Sequence, residues 1–145
     1  MKNIEMFNLV VAEVTGLCYE HFPQRIDVTS HTVAEKIANY YDIDEDDAEA
    51  VSDFIYVSTE MADSTVNWLQ QAGYLWVEGQ SDYSFYGVTL TPKALELMNM
   101  VPDSLEETIG SKLVSSAKAI SKQTAMSAAG SLLSAGVKLA TGSLM

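Results

Sequence analysis

Positive charge is what this chain has least of for its size. Eight Lys and Arg stand against 20 Asp and Glu in 145 residues, a formal net charge of −12. A surface that grips phosphates needs clustered cations, about 6–10 contacts for a typical specific DNA binder, so the deficit argues against nucleic acid. A single cysteine, Cys18, excludes an intrachain disulfide and suits a reducing compartment. Two histidines, His21 and His31, are too few for a zinc site without carboxylate help. The sequence holds no P-loop, no glycine-rich dinucleotide fingerprint, no Gly-x-Ser-x-Gly and no kinase-type signature. The first apolar stretch is broken by Glu5 and Glu13, unlike a secretory leader. The longest uncharged run of the C-terminal part, Gln123 to Val137, is 15 residues, short of the roughly 18 that a bilayer span requires. These absences together predict a cytoplasmic protein without enzymatic activity, cofactor or metal.

What is present is ordered by its three prolines, each of which reads as a boundary. From Asn3 to Tyr19 the apolar residues Ile4, Phe7, Val10, Val11, Val14, Leu17 and Cys18 keep helical spacing until Phe22-Pro23 closes the segment. Arg25–Thr29 has the composition of a short strand. Thr32-Val33-Ala34-Glu35 matches a capping box and predicts a helix through Tyr41. Asp42 to Glu49 load acids onto the start of a further helix, Asp46 to Thr59, where the positive end of the dipole favours them. A helix from Glu60 to Ala72 follows, and Gly73 is placed to end it. Tyr74–Val77 and Tyr83–Leu90 are rich in strand formers around a turn-like Glu78–Asp82, so they predict a hairpin. Thr91-Pro92 then reads as an N-cap with proline at the first helical position, opening Lys93–Met100, which Pro102 stops.

Helices, a helix ending Trp68-Leu69 and Ala72-Gly73-Tyr74-Leu75, a hairpin, and then Val88-Thr89-Leu90-Thr91-Pro92-Lys93: this order resembles the winged-helix domain over residues 4–100. The resemblance implies an α+β, mostly helical fold: a winged helix with a two-stranded β-hairpin wing, residues 1–102, plus an appended C-terminal helix, 103–145. It also implies that Glu60–Ala72 would lie in the major groove and that the wing would grip phosphates. Neither segment contains Lys or Arg; they bring Glu60, Asp63, Glu78 and Asp82 instead. Asn67, Gln70 and Gln71 have side chains able to read adenine edges, but base readout follows phosphate capture. A winged helix without cations is expected to bind protein.

The last third is different material. All acids lie at or before Glu107, so residues 1–109 hold four cations against 20 acids, a net of −16, and residues 110–145 carry +4. Ser104-Leu105-Glu106-Glu107 is a second capping-box match. From there Ile109, Leu113, Ala117, Ile120, Thr124, Ala128, Leu132, Ala135 and Leu139 form one stripe with every lysine off it. Three readings stand: a self-associating or partner-docking helix, in first place; packing back on the acidic body, or fraying; and an anionic membrane surface. The expected tail interface is Ile109, Leu113, Ala117, Ile120, Leu132 and Leu139.

Two constellations fall short of chemistry. Asp42, Asp44, Asp46 and Asp53 take places one, three, five and twelve of a calcium loop, but Asp47 stands where the sharp turn needs Gly. Cys18 and His21 are three apart, with no third group to orient the imidazole. The acidic cluster Asp42, Asp44, Asp46 and Asp47 remains a candidate to meet a basic partner, as do Tyr83 and Tyr86 of the hairpin; Trp68 is expected in the core. The leading expectation is a non-enzymatic protein-interaction module that self-associates or docks a partner through the tail. The alternatives are a DNA-binding regulator, an immunity- or antitoxin-type protein masking a basic partner, and a peripheral membrane protein.

Overall fold

Helix α1 (Lys2–His21) is buried from Leu9 through Gly16 without a break in a computed structural model that describes residues 2–99, 108–119 and 122–140. A surface helix leaves one side polar and wet. Here the residues off the apolar stripe, Ala12, Glu13 and Thr15, are covered as well. Burying them requires partners. The Glu13 carboxylate meets Lys36 Nζ at 3.1 Å, and Thr15 Oγ1 donates back to the Val11 carbonyl at 2.6 Å. Neighbouring elements pack on α1 from both halves of the chain.

β1 (Ile26–Thr29) leads directly into α2 (Ser30–Ala38). The cap is Thr29, whose Oγ1 accepts from the Thr32 N–H, so the helix starts earlier than the Thr32 capping box predicts and ends at Ala38. α3 (Ala48–Gln71) is one 24-residue helix where two were expected. The reason is a buried line, Ser58, Ala62, Thr65 and Leu69, that crosses the expected junction in steps of four and three without a Gly or Pro to break it. Asp47 caps its start by accepting from the Ala50 N–H at 3.1 Å. Gly73, at φ 86°, ends it: the Tyr74 N–H reaches the Leu69 carbonyl at 2.8 Å and the Gly73 N–H the Gln70 carbonyl at 3.2 Å, the paired bonds of a Schellman turn.

β2 (Leu75–Trp76), β3 (Gly79–Ser81) and β4 (Ser84–Leu90) follow. β4 pairs antiparallel with all three other strands, in the registers Ile26↔Val88, Leu75↔Leu90 and Ser81↔Ser84. The hairpin is therefore part of a small sheet. Gly79–Ser81, expected as turn, is strand, and the turn is Asp82-Tyr83. α4 (Pro92–Met98) opens as the sequence predicts, with Thr91 Oγ1 accepting from the Ala94 N–H and Pro92 in the first turn.

The tail forms two helices, α5 (Ile109–Ala119) and α6 (Lys122–Ala140); the Pro102 stop and the Ser104 cap lie outside the described residues. Both helices pack on α1, on α4 and on each other. Ile109, Leu113, Ala128, Ala129 and Leu132 belong to the same buried cluster as Leu9, Val10, Phe85 and Leu97, so the described parts of 1–102 and 103–145 share one core. Small residues make the approach close. A β-carbon on Gly110 would enter the Tyr19 ring, and one on Gly136 would collide with the Tyr74 hydroxyl, whereas Gly130 faces open space.

Three substitutions separate these roles. Gly136→Val overpacks the α6 contact and lowers stability by about 1–3 kcal/mol. Leu113→Ala costs about 2–5 kcal/mol through lost transfer energy and a cavity. Gly130→Ala raises stability by up to about 1 kcal/mol through helix propensity. Urea unfolding of the full chain reads all three. Equal midpoints for the two glycine variants would contradict the packing described.

Candidate functional site

Tyr56, Glu60, Asp63 and Asn67 recur at steps of four and three along α3 and so share one side of it. The β3–β4 hairpin crosses that side. The Tyr83 hydroxyl donates to Glu60, Gln80 Nε2 donates to Asn67 Oδ1 at 3.3 Å, and Ser30 Oγ donates to Asp63 at 3.2 Å. Tyr83 takes the left-handed region at φ 58°, a cost of about 1–2 kcal/mol for a residue with a β-carbon. Its carbonyl accepts from the Ser30 N–H at 2.8 Å, which helps to hold the turn. The ring nevertheless stays 44 % exposed, and Tyr86 beside it 45 %, its hydroxyl 3.0 Å from Ser81 Oγ. The hydrogen bond to Glu60 pushes the Tyr83 phenol above its ordinary pKa. Asn67, a candidate base reader, is already engaged: its Nδ2 donates to the Asp63 carbonyl at 3.0 Å.

Trp68 corrects an expectation. It stands off the buried line of α3 and is 45 % exposed rather than core, with Phe7 edge-on at 5.3 Å and Tyr74 stacked at 6.2 Å. Trp76, on β2, is half exposed.

The acidic cluster lies elsewhere. Asp42, Asp44, Asp46 and Asp47 are all exposed at the entry to α3; Asp47 is its cap and Asp44 accepts from the Asp46 N–H at 3.0 Å. Thirteen residues of helix, about 20 Å, separate Asp47 from Glu60, so the cluster and the two hairpin tyrosines are two places. Among the described residues no group of three His, Cys, Asp or Glu could hold a metal ion. Cys18 is buried, its thiol pushed up to about 12 by desolvation, and His21 Nδ1 faces the Leu17 carbonyl at 3.0 Å. No activated thiol results.

Of the expected tail interface, Ile109, Leu113 and Leu132 are buried inside the chain's own core. Ile120 and the side chains of Ala117 and Leu139 lie outside the described residues. For the first three the apolar stripe is an internal contact, because α1 needs covering on the side that the N-terminal elements leave open.

Sequence reasoning missed a groove of about 570 Å³ between the start of α1, the loop after α2 and the first half of α3. Met6, Phe54, Val57 and Met61 line it, with Asp42 and Asp53 among its carboxylates. Its only signal in the sequence is a second set of apolar residues on α3, off the line that faces the core.

The described cations are spent. Arg25 donates to the Gly87 carbonyl at 2.8 Å and lies 3.7 Å from Glu78. Lys36 holds Glu13. Lys93 Nζ donates to the Ala72 carbonyl at 3.0 Å, 4.6 Å from the centre of the Tyr74 ring. Lys122, at the start of α6, pairs with Glu5 and lies over the Tyr41 ring at 4.4 Å. Lys112 has its own interaction. Thus none of the Lys and Arg side chains that the structure describes is free.

No family model, curated protein or solved structure matches this chain. Among the described residues no helix is long and apolar enough to cross a membrane.

The Glu5–Lys122 pair gives a pH dependence with a definite sign. Lys122 holds the Glu5 carboxyl below its ordinary 4.5, so its contribution is complete above that value and is lost as pH falls through the lowered one. Lys122→Met should remove that part of the acid limb. Melting temperature followed from pH 5 to pH 3 should fall less steeply in the variant than in the parent; parallel curves would show that the pair does not anchor α6.

Proposed function

We propose that this chain is a non-enzymatic protein-interaction module of winged-helix type that takes a basic protein partner on the tyrosine-bearing side of α3 and its hairpin. The winged-helix reading is supported by α3 passing through a glycine turn into a hairpin and by Thr91-Pro92 opening the next helix. One observation carries the choice of partner. Where the family would hold phosphates, this chain presents Tyr56, Glu60, Asp63, Tyr83 and Tyr86, and the cation at the hairpin, Arg25, is bound to Gly87 and Glu78. Exposed tyrosines beside carboxylates suit Arg- and Lys-bearing protein surfaces, since an aromatic ring supplies contact area and the acid supplies complementarity. A duplex would meet like charge. The hairpin side is preferred to the tail because Ile109, Leu113 and Leu132 of the tail stripe are buried in the chain's own core.

Two measurements test the proposal. In a mobility shift on mixed-sequence duplex DNA at low salt, no complex is expected; a complex that weakens with salt would overturn the choice of partner. In affinity capture from the native host, Tyr83→Gly removes the ring and relieves the left-handed strain together. It should leave the urea midpoint at or above the parent's while losing a basic protein that the parent retains. An unchanged captured set would remove the hairpin from the account.

A further inference from the structure

We infer that the groove between the start of α1 and the first half of α3 is a docking site for a short basic amphipathic helix from a protein partner. This inference rests on the reading of the chain as an interaction module and adds a second surface to it. The groove side of α3 carries Phe54, Val57 and Met61, while Tyr56, Glu60 and Asp63 point about a third of a turn away, so one helix serves two faces. Val57, in the lining, is 52 % exposed beside the partly buried Phe54 and Met61, an uncovered apolar surface flanked by carboxylates, of the kind that marks an interaction site. Two methionines in the lining, Met6 and Met61, let the floor adapt to an occupant. From Ala50 to Met61 the groove runs about 16 Å, three helical turns, and by helical spacing the same side of α3 continues to the half-exposed Trp68.

Charge selects the occupant. Asp42, Asp44 and Asp53 line the groove, and none of the described cations pairs with them: Lys36 and Lys122 are held by Glu13 and Glu5, and Arg25 by Glu78. An apolar floor between unpaired carboxylates fits a helix with apolar anchors at i, i+3 or i+4 and i+7 and with Lys or Arg along its flanks. A second copy of this chain does not fit, because it would bring the same acids to the same place at a formal net charge of −12.

The test uses the full chain and a fluorescein-labelled 18-residue Lys/Leu peptide, with leucines at amphipathic helical spacing, read by fluorescence anisotropy. A peptide of the same composition with its order scrambled is the control for simple charge attraction. The amphipathic peptide should bind saturably and at least tenfold more tightly than the scrambled one. Val57→Glu should weaken it tenfold or more. A chain carrying Asp42→Asn, Asp44→Asn and Asp53→Asn should do the same, and keeps the test alive if Val57→Glu disturbs the fold. Tyr83→Gly should leave it unchanged. Equal binding of the two peptides, full binding by both groove variants, or a Val57-dependent dimer that excludes the peptide would each overturn the inference. Peptide binding retained while host capture ignores Tyr83→Gly would sink the hairpin proposal alone.

Discussion

The enclosure of α1 is the constraint on which the rest of the structure depends. Eight consecutive residues of this helix, Leu9 to Gly16, are out of water, and no single neighbour can cover a helix on every side. The N-terminal elements, α2, α3 and the sheet, cover part of it; α5 and α6 cover the rest. That explains why a tail so different in composition is not a separate body. Its Ala-, Ser- and Gly-rich surface is what lets two further helices approach a helix that is already crowded, as the contacts of Gly110 with Tyr19 and Gly136 with Tyr74 show. It also explains the Glu13–Lys36 pair. A carboxylate that is 6 % exposed needs a partner or a proton, and α2 delivers the partner.

A second junction ties the hairpin to the tail. Buried Thr91 caps α4 by accepting from the Ala94 N–H and donates its hydroxyl hydrogen to the Gly73 carbonyl. Its N–H reaches the Tyr74 carbonyl at 3.1 Å, and Lys93 reaches the Ala72 carbonyl. The carbonyls of the turn that follows α3, Ala72 to Tyr74, are thus satisfied by Thr91 and Lys93, with a lysine at the negative end of the helix dipole. Tyr74, held there by the Schellman turn, packs its hydroxyl against Gly136 of α6. One four-residue motif, Thr91 to Ala94, therefore fixes the end of α3, the start of α4 and, through Tyr74, the place of the tail.

Local chemistry was legible in the sequence wherever a cap or a turn residue is obligatory. The Thr91-Pro92 start and the Gly73 stop are where their residues predict, because each depends on groups a few positions apart; β1 is where its strand-forming composition places it, although its partner β4 is about 60 residues away. What depends on distant contacts was not legible. Two helices, Asp46–Thr59 and Glu60–Ala72, were expected, yet the buried line Ser58, Ala62, Thr65 and Leu69 continues across their junction. Trp68 reads as core by residue type, but its position on α3 faces Phe7 and solvent. The tail stripe was visible, but a stripe does not state what covers it; only the depth of α1 does. In the candidate sites, the exposure of Tyr83 and Tyr86 agrees with the reading of the hairpin, whereas the groove needs α1 and α3 side by side and so leaves almost no trace in either segment alone.

The charge distribution follows from the same architecture. Exposed ion pairs contribute about 0–1 kcal/mol each, so the many unpaired carboxylates on this surface do little for the fold, and a large net charge opposes compaction through self-repulsion. Four of the described cations, by contrast, sit where the fold uses them: on buried Glu13, on the end of α3, on the hairpin and at the start of α6. Once those positions are filled, the described surface is left with negative charge that has no internal partner. Carboxylates spread evenly would serve solubility alone. Here they flank an apolar groove at one end of α3 and a strained tyrosine turn near its middle, and a carboxylate beside exposed apolar surface lowers the free energy of bringing a cationic, amphipathic neighbour out of water onto it. Contacts within the fold, two of them to acids of α1, take up the described positive charge, and what remains on the described surface is complementary to a basic one.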